Sequence, residues 1–345
     1  MDRQLETFQR KSVIDLDSST YRSKIRRATS TIRSKGLVYY ANNYCYKLLN
    51  KTFSFKENHM PIISPTWREV NFKALHLNAS AKLLLNPLDA GFSREFNVYG
   101  FREPLNTVTI FNYVAQEKPI VLDIGGNLGY FPLVELEAGA EKVIVAEPIP
   151  STFALLSKTL AGFKRVVLLN MAISDETGFL TLYVATERNV TSSSKSLLTS
   201  AGHIYSGEIN VKADTLASLA DTYLFNMIRM DVEGHEYHIL SESIPDQIEA
   251  INVELHVLYP YDKSQAIKLL QNLFDHSFKV THAIKEMGYG YYQMIQCFGL
   301  KTAYKLATSI IPHARARPWI QTNPSLDELI SEIPERGQIH LLLQR

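Results

Sequence analysis

The chain has 345 residues, 46% of them hydrophobic, so it can bury one large core or two ordinary ones. Its formal net charge of +1 excludes a polyelectrolyte that is drawn as a whole to nucleic acid or to a membrane. The two cysteines, Cys45 and Cys297, exclude a disulfide framework and favour a reducing cytoplasm. No apolar run approaches the roughly 20 residues that span a bilayer, so we expect a soluble protein with no membrane span.

The N-terminal segment is basic, although the whole chain is nearly neutral. Residues 1–56 contain 12 Lys/Arg and 4 Asp/Glu, a net charge of 12 − 4 = +8, so the remainder carries 1 − 8 = −7. Much of this segment lacks proline and glycine, and several tyrosines follow one another near residue 40. We predict a basic, aromatic and mostly helical extension over residues 1–97.

From about residue 104, short apolar runs alternate with helical segments, a pattern typical of βαβ units in a parallel sheet. The predicted strands are 120–124, 142–147, 166–173, 179–184, 208–212, 226–231, 250–256, 278–284 and 339–344. One predicted helix begins near Tyr130. Four more cover residues 151–160, 216–220, 237–241 and 263–275. The fourth and fifth of these strands are expected to form a hairpin around a Ser/Thr-rich loop. We place this α/β domain at 98–345, with an insertion of little regular period at about 287–338.

The loop Asp123-Ile-Gly-Gly-Asn-Leu-Gly129 lies between a predicted strand and a predicted helix. Its glycines let the backbone turn sharply and approach a ligand closely. A dinucleotide site would need Gly-x-Gly-x-x-Gly with a pyrophosphate at the helix N-terminus. A carboxylate opens this loop instead, and it suits a cation such as the ammonium of a methionine moiety. A turn that only caps the helix is the alternative.

Glu147 ends the next predicted strand, 147 − 123 = 24 positions after Asp123. An acidic residue at that point accepts hydrogen bonds from ribose hydroxyls in nucleotide-binding folds. Two carboxylates without a phosphate-binding loop favour S-adenosylmethionine (SAM) over NAD as the cofactor.

Three motifs in this order resemble the FkbM-type SAM-dependent methyltransferases. They are Val121-Leu-Asp-Ile-Gly-Gly-Asn-Leu-Gly-Tyr-Phe131, Asn170-x-Ala172-x-Ser174-Asp175 and Ile228-Arg-Met-Asp-Val-Glu-Gly-His-Glu236. Two shorter matches, Glu103-Pro-x-x-Thr107 and Glu254-x-His256, extend the resemblance to about residues 98–286 plus the closing strand. It implies a Rossmann-like class I methyltransferase fold, with a mostly parallel seven-stranded sheet and an antiparallel last strand.

The resemblance also implies which residues bind SAM. The implied contacts come from the glycine loop, the next two strand ends and flanking positions: Asp123, Gly125, Gly126, Asn127, Gly129, Glu147, Ala172, Thr107 and Asp231. Ala172 is expected near the adenine and Thr107 near the methionine end. Gly126 departs from the family, which usually has alanine there.

Four polar residues are expected on the acceptor side. Methyl transfer to a hydroxyl requires an aligned acceptor and a group that takes its proton. Strand alternation places Asp231 with Glu233, and Glu254 with His256, on shared faces. We predict His256 or Glu233 as base or substrate anchor, and Asp231 as a contact to cofactor or acceptor. The alternative for Glu254 and His256 is a structural hydrogen-bonded pair.

Two further expectations concern these residues. His235 is expected to be a surface residue at the start of a helix. The carboxylates and His256 also suit a divalent cation, as in metal-dependent O-methyltransferases. We nevertheless expect a metal-free carboxylate cluster.

The resemblance implies an enzyme that methylates a hydroxyl of a small molecule, sugar or glycan, because family members mostly act on such groups. Enzymes that methylate nucleobase amines often have an Asn/Asp-Pro-Pro-aromatic loop after the fourth strand of the parallel sheet. This chain has Asp231-Val-Glu-Gly234 there, which disfavours that chemistry. Methylation at a cytosine carbon needs a nucleophilic cysteine near the same strand, and the sequence has none there.

The alternative is an RNA-directed methyltransferase. In that case basic residues of the N-terminal segment would contact phosphates: Arg22, Lys24, Arg26, Arg27, Arg33 and Lys35. A SAM-binding scaffold without catalysis is disfavoured, and no particular oligomeric state is predicted.

Overall fold

The computed structural model describes residues 64–89, 92–185, 190–192, 205–241, 244–285 and 319–345. The basic segment 1–56, most of the Ser/Thr-rich loop and the first part of the insertion at 287–338 lie outside these residues. Among the helices of the described ranges, none combines the length and the apolar content that a membrane crossing requires.

The described residues form a large central sheet, two smaller sheets and the helices around them. The strands in chain order are β1 (Thr66–Glu69), β2 (Lys82–Leu85), β3 (Ile120–Ile124), β4 (Lys142–Ala146), β5 (Val166–Leu169), β6 (Ala172–Ser174), β7 (Gly178–Ala185), β8 (Val190–Ser192), β9 (Tyr205–Thr215), β10 (Met227–Met230), β11 (Ala250–Val257), β12 (Lys279–Lys285), β13 (Trp319–Thr322) and β14 (Gly337–Gln344). The α-helices are α1 (Phe92–Tyr99), α2 (Pro104–Glu117), α3 (Tyr130–Ala138), α4 (Pro150–Leu160), α5 (Leu216–Thr222), α6 (Glu236–Ser241), α7 (Lys263–Asp275) and α8 (Leu326–Glu332).

The central sheet has the order β13-β12-β14-β11-β10-β3-β4-β5. Strands β11, β10, β3, β4 and β5 pair in parallel. Strand β14 is antiparallel to both of its neighbours, β11 and β12. The predicted fold class, a mostly parallel α/β sheet with an antiparallel last strand, is therefore confirmed. The sheet has one strand more than expected, because β13 of the predicted insertion pairs with β12.

Helices cover both faces of this sheet, so its inner strands are buried on both sides. One apolar cluster joins β3 and β4 to Leu133 of α3 and Leu156 of α4. The other joins the opposite face to Leu219, Leu240 and Leu270 of α5, α6 and α7. All eight residues of β11 are buried, including Asn252, Glu254 and His256, which alternation places on one face. Buried polar groups in a central strand require partners, and the site described below supplies them.

The predicted hairpin forms a separate sheet of order β6-β9-β7-β8. Its antiparallel pair β7–β9 is as expected, with the short strand β8 added at the edge. The single strand predicted over 166–173 is wrong, because β5 ends at Leu169 and β6 begins at Ala172 in the other sheet. Asn170 lies at the crossing, and its side-chain amide donates to the carbonyls of Glu147 (2.9 Å) and Pro148 (3.1 Å). This crossing brings the hairpin beside the end of β4.

The residues just before the α/β domain pack onto it. Leu83 and Leu85 of β2 and Phe96 of α1 belong to the same apolar cluster as Val121 of β3. Between residues 64 and 97 the chain forms two strands, a 3-10 turn and the start of a helix. The domain boundary at residue 97 stays a prediction.

Candidate active site

A cleft of about 700 Å³, partly open to solvent, lies at the carboxyl ends of β3, β4 and β10. This is the place in a parallel sheet where the strand order reverses and ligands bind. Its polar lining consists of Asn127, Glu147, Asp231, Glu233 and His235. Its apolar walls include Met171 just before β6, Ile173 in β6, and Leu180 and Leu182 of the hairpin.

The glycine loop packs so closely that side chains do not fit at two positions. Gly125 has a φ of 85°, and a Cβ there would lie 2.1 Å from the backbone oxygen of Asp231. A Cβ on Gly126 would lie 2.2 Å from Cγ1 of Val145. The family usually has alanine at position 126. In this chain Val145 fills the space that the methyl group of that alanine would occupy.

Glu147 follows β4 and is nearly completely buried at the edge of the cleft. Its carboxylate accepts hydrogen bonds from the backbone N–H groups of Asn127 and Ile149, both at 2.9 Å. Burial raises the pKa of Glu147 to about 7, although these two donors favour the ionised form. Each carboxylate oxygen keeps a lone pair, so the group can accept the two ribose hydroxyls of SAM.

Asn127 offers a second group for the cofactor. Its residue lines the cleft in the left-handed region, with φ 47°. Its side-chain Oδ1 is buried and has no hydrogen-bond partner among the described residues. An unpaired buried acceptor costs roughly 1–3 kcal/mol, which a donor such as the ammonium of SAM would offset. The residues of this end of the cleft thus fit SAM.

Asp123 lies behind the cleft rather than in its lining. The carboxylate is fully buried, and its Oδ1 is 3.5 Å from Nη1 of Arg229. Burial raises the pKa of Asp123 to about 6, and Arg229 offsets part of this effect. A direct contact with the ammonium of SAM stays a prediction.

Arg229 is a central residue that sequence reasoning missed. Its guanidinium donates to the Gly125 carbonyl (3.4 Å) and to Asp231 Oδ2 (3.3 Å), and it lies 4.1 Å from the ring centre of Phe131. Arg229 therefore connects the glycine loop to Asp231. A lone arginine in the apolar strand Met-Ile-Arg-Met is the signal that points to it.

Three further predicted cofactor residues have different positions. Ala172 begins β6 and lines the cleft beside Leu180 and Leu182. Thr107 is buried in α2, where its hydroxyl donates to the Arg102 carbonyl (2.8 Å) and lies 3.0 Å from the Tyr130 hydroxyl. Thr107 does not line the cleft, and its contact with the methionine end stays a prediction. Gly129, with φ 99°, precedes the first residue of α3.

Asp231, Glu233, Glu254 and His256 come together, and we call them the acidic corner. Asp231 and Glu233 line the cleft, whereas Glu254 and His256 are buried and do not line it. We expected strand alternation to place Glu233 on the same face as Asp231. It does not, because β10 ends at Met230. A turn with positive φ at Glu233 (52°) and Gly234 (101°) brings the side chain back. Its Oε2 lies 3.5 Å from Nε2 of His256.

His256 is buried and tightly held. Its Nδ1 lies 2.9 Å from Oε1 of Glu236, which also accepts the backbone N–H groups of Val232 (3.3 Å) and Gly234 (3.2 Å). Burial alone would lower the pKa of His256, but Glu236, Glu233 and Glu254 hold it well above its usual value. Glu254 is not the hydrogen-bonded partner that the alternative required. Its Oε1 is 3.8 Å from Nε2 of His256, and the hydrogen bond goes to Glu236 instead.

The carboxyl groups of the corner differ in their acidity. Burial raises the pKa of Glu233 to about 7, aided by Asp231 and Glu236 and opposed by His256. Burial also disfavours ionisation of Asp231, but Arg229 and then His256 outweigh it and lower its pKa. At neutral pH, Asp231 is ionised, and Glu233 is the group that exchanges a proton most readily.

The expectation that His235 is a surface residue is wrong. The residue is 7% exposed and lines the cleft, because the turn before α6 faces the hairpin sheet. Its Nε2 lies 2.9 Å from the Ser174 hydroxyl, and its ring stacks on His238. Burial lowers the pKa of His235 to about 4, so the ring is neutral.

Solved structures similar to this chain are distant in sequence. A SAM-dependent methyltransferase from Agrobacterium tumefaciens is 9% identical with a TM-score of 0.38, and the match covers 77% of this chain and 67% of that one. A putative tRNA methyltransferase from Streptococcus pneumoniae, in complex with SAM, is 12% identical with a TM-score of 0.33, over 68% and 72% of the chains. A putative RNA methyltransferase from Pyrococcus horikoshii is 13% identical with a TM-score of 0.32, over 53% and 73%.

No curated protein matches the chain. The family model described as the methyltransferase FkbM domain matches residues 123–289. This range begins at the glycine loop and contains Glu147 and the whole acidic corner. The chain therefore contains a methyltransferase FkbM domain, and it is a SAM-dependent methyltransferase.

Proposed function

We propose that this enzyme methylates a hydroxyl group of a small molecule, a sugar or a glycan. The observation that carries the proposal is Glu233, a carboxylate on the cleft that is 35% exposed and has a pKa of about 7. A general base works best when its pKa lies near the operating pH. The buried, positively charged His256 serves as a positioning residue for it.

The proposed reaction uses the two ends of the cleft differently. Glu147 and Asn127 would hold the nucleoside and methionine parts of SAM. When bound, SAM would supply the methyl group, whose S–CH3 bond breaks as the O–CH3 bond to the acceptor forms, and a neutral thioether would remain. Glu233 would take the proton of the acceptor hydroxyl. Most of the rate enhancement comes from alignment.

A panel of acceptors tests this proposal. The full chain would be incubated with SAM labelled in its methyl group and with free sugars, glycosides and phenols, and with total tRNA in parallel. We expect label on a hydroxyl compound. Label on tRNA alone would overturn the proposal and favour the RNA-directed alternative, which rests on the basic residues 1–56.

The variant Glu233→Gln tests the role of the base. We expect kcat to fall by roughly 100-fold or more, while SAM affinity measured by calorimetry stays within about threefold. Asp175→Asn is the matched control, because Asp175 is 36% exposed and lies near the cleft without reaching the acidic corner. An unchanged kcat in Glu233→Gln would show that the proton goes elsewhere.

We also propose a cytoplasmic location. The sparse cysteines, Cys45 and Cys297, support a reducing compartment.

A further inference from the structure

The acidic corner and its neighbours contain more carboxyl groups than cations. Four carboxyl groups, those of Asp231, Glu233, Glu254 and Glu236, surround the imidazole of His256. Arg229 adds a second cation at Asp231 Oδ2.

Three of these side chains have the spacing of metal ligands. One carboxylate oxygen of Asp231, one of Glu233 and a ring nitrogen of His256 all lie within 4.8 Å of one another. Both carboxylates line the cleft, so an ion held by them would keep open positions toward a ligand. Two carboxylates and one imidazole suit Mn²⁺ or Zn²⁺ better than Mg²⁺, which prefers oxygen ligands alone.

The environment of His256 matches that of a metal-binding histidine. Its Nδ1 faces Glu236, which two backbone N–H groups hold in place. Such a carboxylate keeps a hydrogen on Nδ1, so a metal ion would bind Nε2 and displace its proton. Nε2 is the ring nitrogen that faces Glu233 and Glu254.

Glu254 lies beside the three ligands. Its side chain is 6% exposed, and its Oε1 is 3.8 Å from Nε2 of His256 and 4.0 Å from Nε2 of His340. Burial raises the pKa of Glu254 well above its usual value. A cation beside His256 would stabilise its ionised form.

We propose that Asp231, Glu233 and His256 bind a divalent transition-metal cation, Mn²⁺ or Zn²⁺, at the acceptor end of the cleft. This proposal replaces the expectation of a metal-free cluster. A second group with similar spacing, Glu103, Glu254 and His340, does not line the cleft and is not proposed as a site.

The role of the ion rests on the proposed function, although its binding does not. A divalent cation at this position would bind the acceptor oxygen and make its hydroxyl more acidic. Glu233 would bind the ion through one carboxylate oxygen and accept the proton on the other. The O–CH3 bond then forms as the S–CH3 bond breaks, as described above.

Titration of the chelator-stripped, desalted full chain with Mn²⁺ tests the site, with the six-line EPR signal of free Mn²⁺ as the readout. We expect about one saturable Mn²⁺ per chain, displaced by Zn²⁺. Glu233→Gln and Asp231→Asn should each weaken binding at least tenfold. The matched control Asp175→Asn should bind within about twofold of the wild type. Circular dichroism would show that the variants are folded.

Two outcomes would overturn the metal proposal: no saturable binding of Mn²⁺ or Zn²⁺, or equal affinity in wild type, Glu233→Gln and Asp231→Asn. Methyl transfer after chelation separates it from the proposed function. Unchanged methyl transfer to a hydroxyl acceptor without bound metal would overturn the role of the metal and support the proposed function. Metal binding at these residues without methyl transfer to any hydroxyl would support the metal site and overturn the proposed function.

Discussion

Glu147 and Asp123 are both carboxylates predicted to bind SAM, yet they occupy different environments. Glu147 reaches the cleft, whereas Asp123 is enclosed with Arg229 and Glu135. The loop and the strand end that contain them could be found from the sequence, because their spacing has a chemical meaning. That spacing does not tell which carboxylate faces the ligand, since this depends on Arg229 in a neighbouring strand.

This difference predicts the effect of Glu147→Gln. The variant should weaken SAM binding roughly 10- to 100-fold, because a neutral amide accepts the ribose hydroxyls less strongly and cannot satisfy both backbone donors. Calorimetry measures the change. Glu141→Gln is the control, since Glu141 is exposed at the opposite end of β4. Equal affinities of the two variants would contradict the assignment of Glu147.

Other contacts of the site have no signature in the sequence. Glu236 belongs to a recognised motif, but its hydrogen-bond partner His256 is on another element. His340 is on the last strand, 3.8 Å from Glu103. Contacts between distant positions depend on the strand order, which hydrophobic patterns do not specify.

At the scale of elements, helix α3 begins after Gly129 and ends before Gly139, both in the left-handed conformation. Its buried face contains the carboxyl group of Glu135, which lies next to that of Asp123. Burial, and then the charge of Asp123, raise the pKa of Glu135 well above its usual value. The helix therefore contributes a protonated carboxyl group to the core.

The pH dependence of stability tests this state of Glu135. Glu135 binds its proton more tightly in the folded chain than in the unfolded chain. Its contribution to the free energy of unfolding is therefore fully present below a pH of about 4.5, and it is lost as the pH rises through the folded pKa. Glu135→Gln cannot ionise. We expect thermal melts of the cofactor-free protein to be similar at pH 5, with the variant roughly 1–3 kcal/mol more stable at pH 9. Parallel curves for the two proteins would contradict a buried, protonated Glu135.

Elements with a strong period could be predicted from the sequence, and the others could not. Helix α7 matches its predicted range, since Asp262 and Gln265 form a capping box and its apolar residues recur at helical spacing. The break at Asn170 has no such signal, because the apolar runs on both sides read as one strand. Strand β13 has four residues, and only its pairing with β12 makes it a strand.

At the scale of the whole molecule, charge is divided between the N-terminal segment and the rest. Residues 1–56 carry +8, and residues 57–345 carry 1 − 8 = −7. The acidic corner belongs to the negative part. A polyanionic acceptor would therefore depend on the basic segment for its attraction to the enzyme.

Deletion of residues 1–56 separates the two functional hypotheses. For a hydroxyl acceptor, we expect methyl transfer by the shortened chain to stay within about threefold of the full chain, since the deleted residues precede the matched domain. Filter binding to total tRNA across salt concentrations is the second measurement. Tight binding that falls steeply with salt and vanishes on deletion would favour the RNA-directed hypothesis.

The position of β14 has a consequence for biosynthesis. This strand inserts between β11 and β12, yet the ribosome makes both of those first. Until Gly337–Gln344 emerges, each neighbour exposes an unpaired edge in the middle of the future sheet, which is a surface for mispairing with other chains. The central sheet thus closes only after Gly337–Gln344 has been translated, and until then the edges of β11 and β12 are open to mispairing.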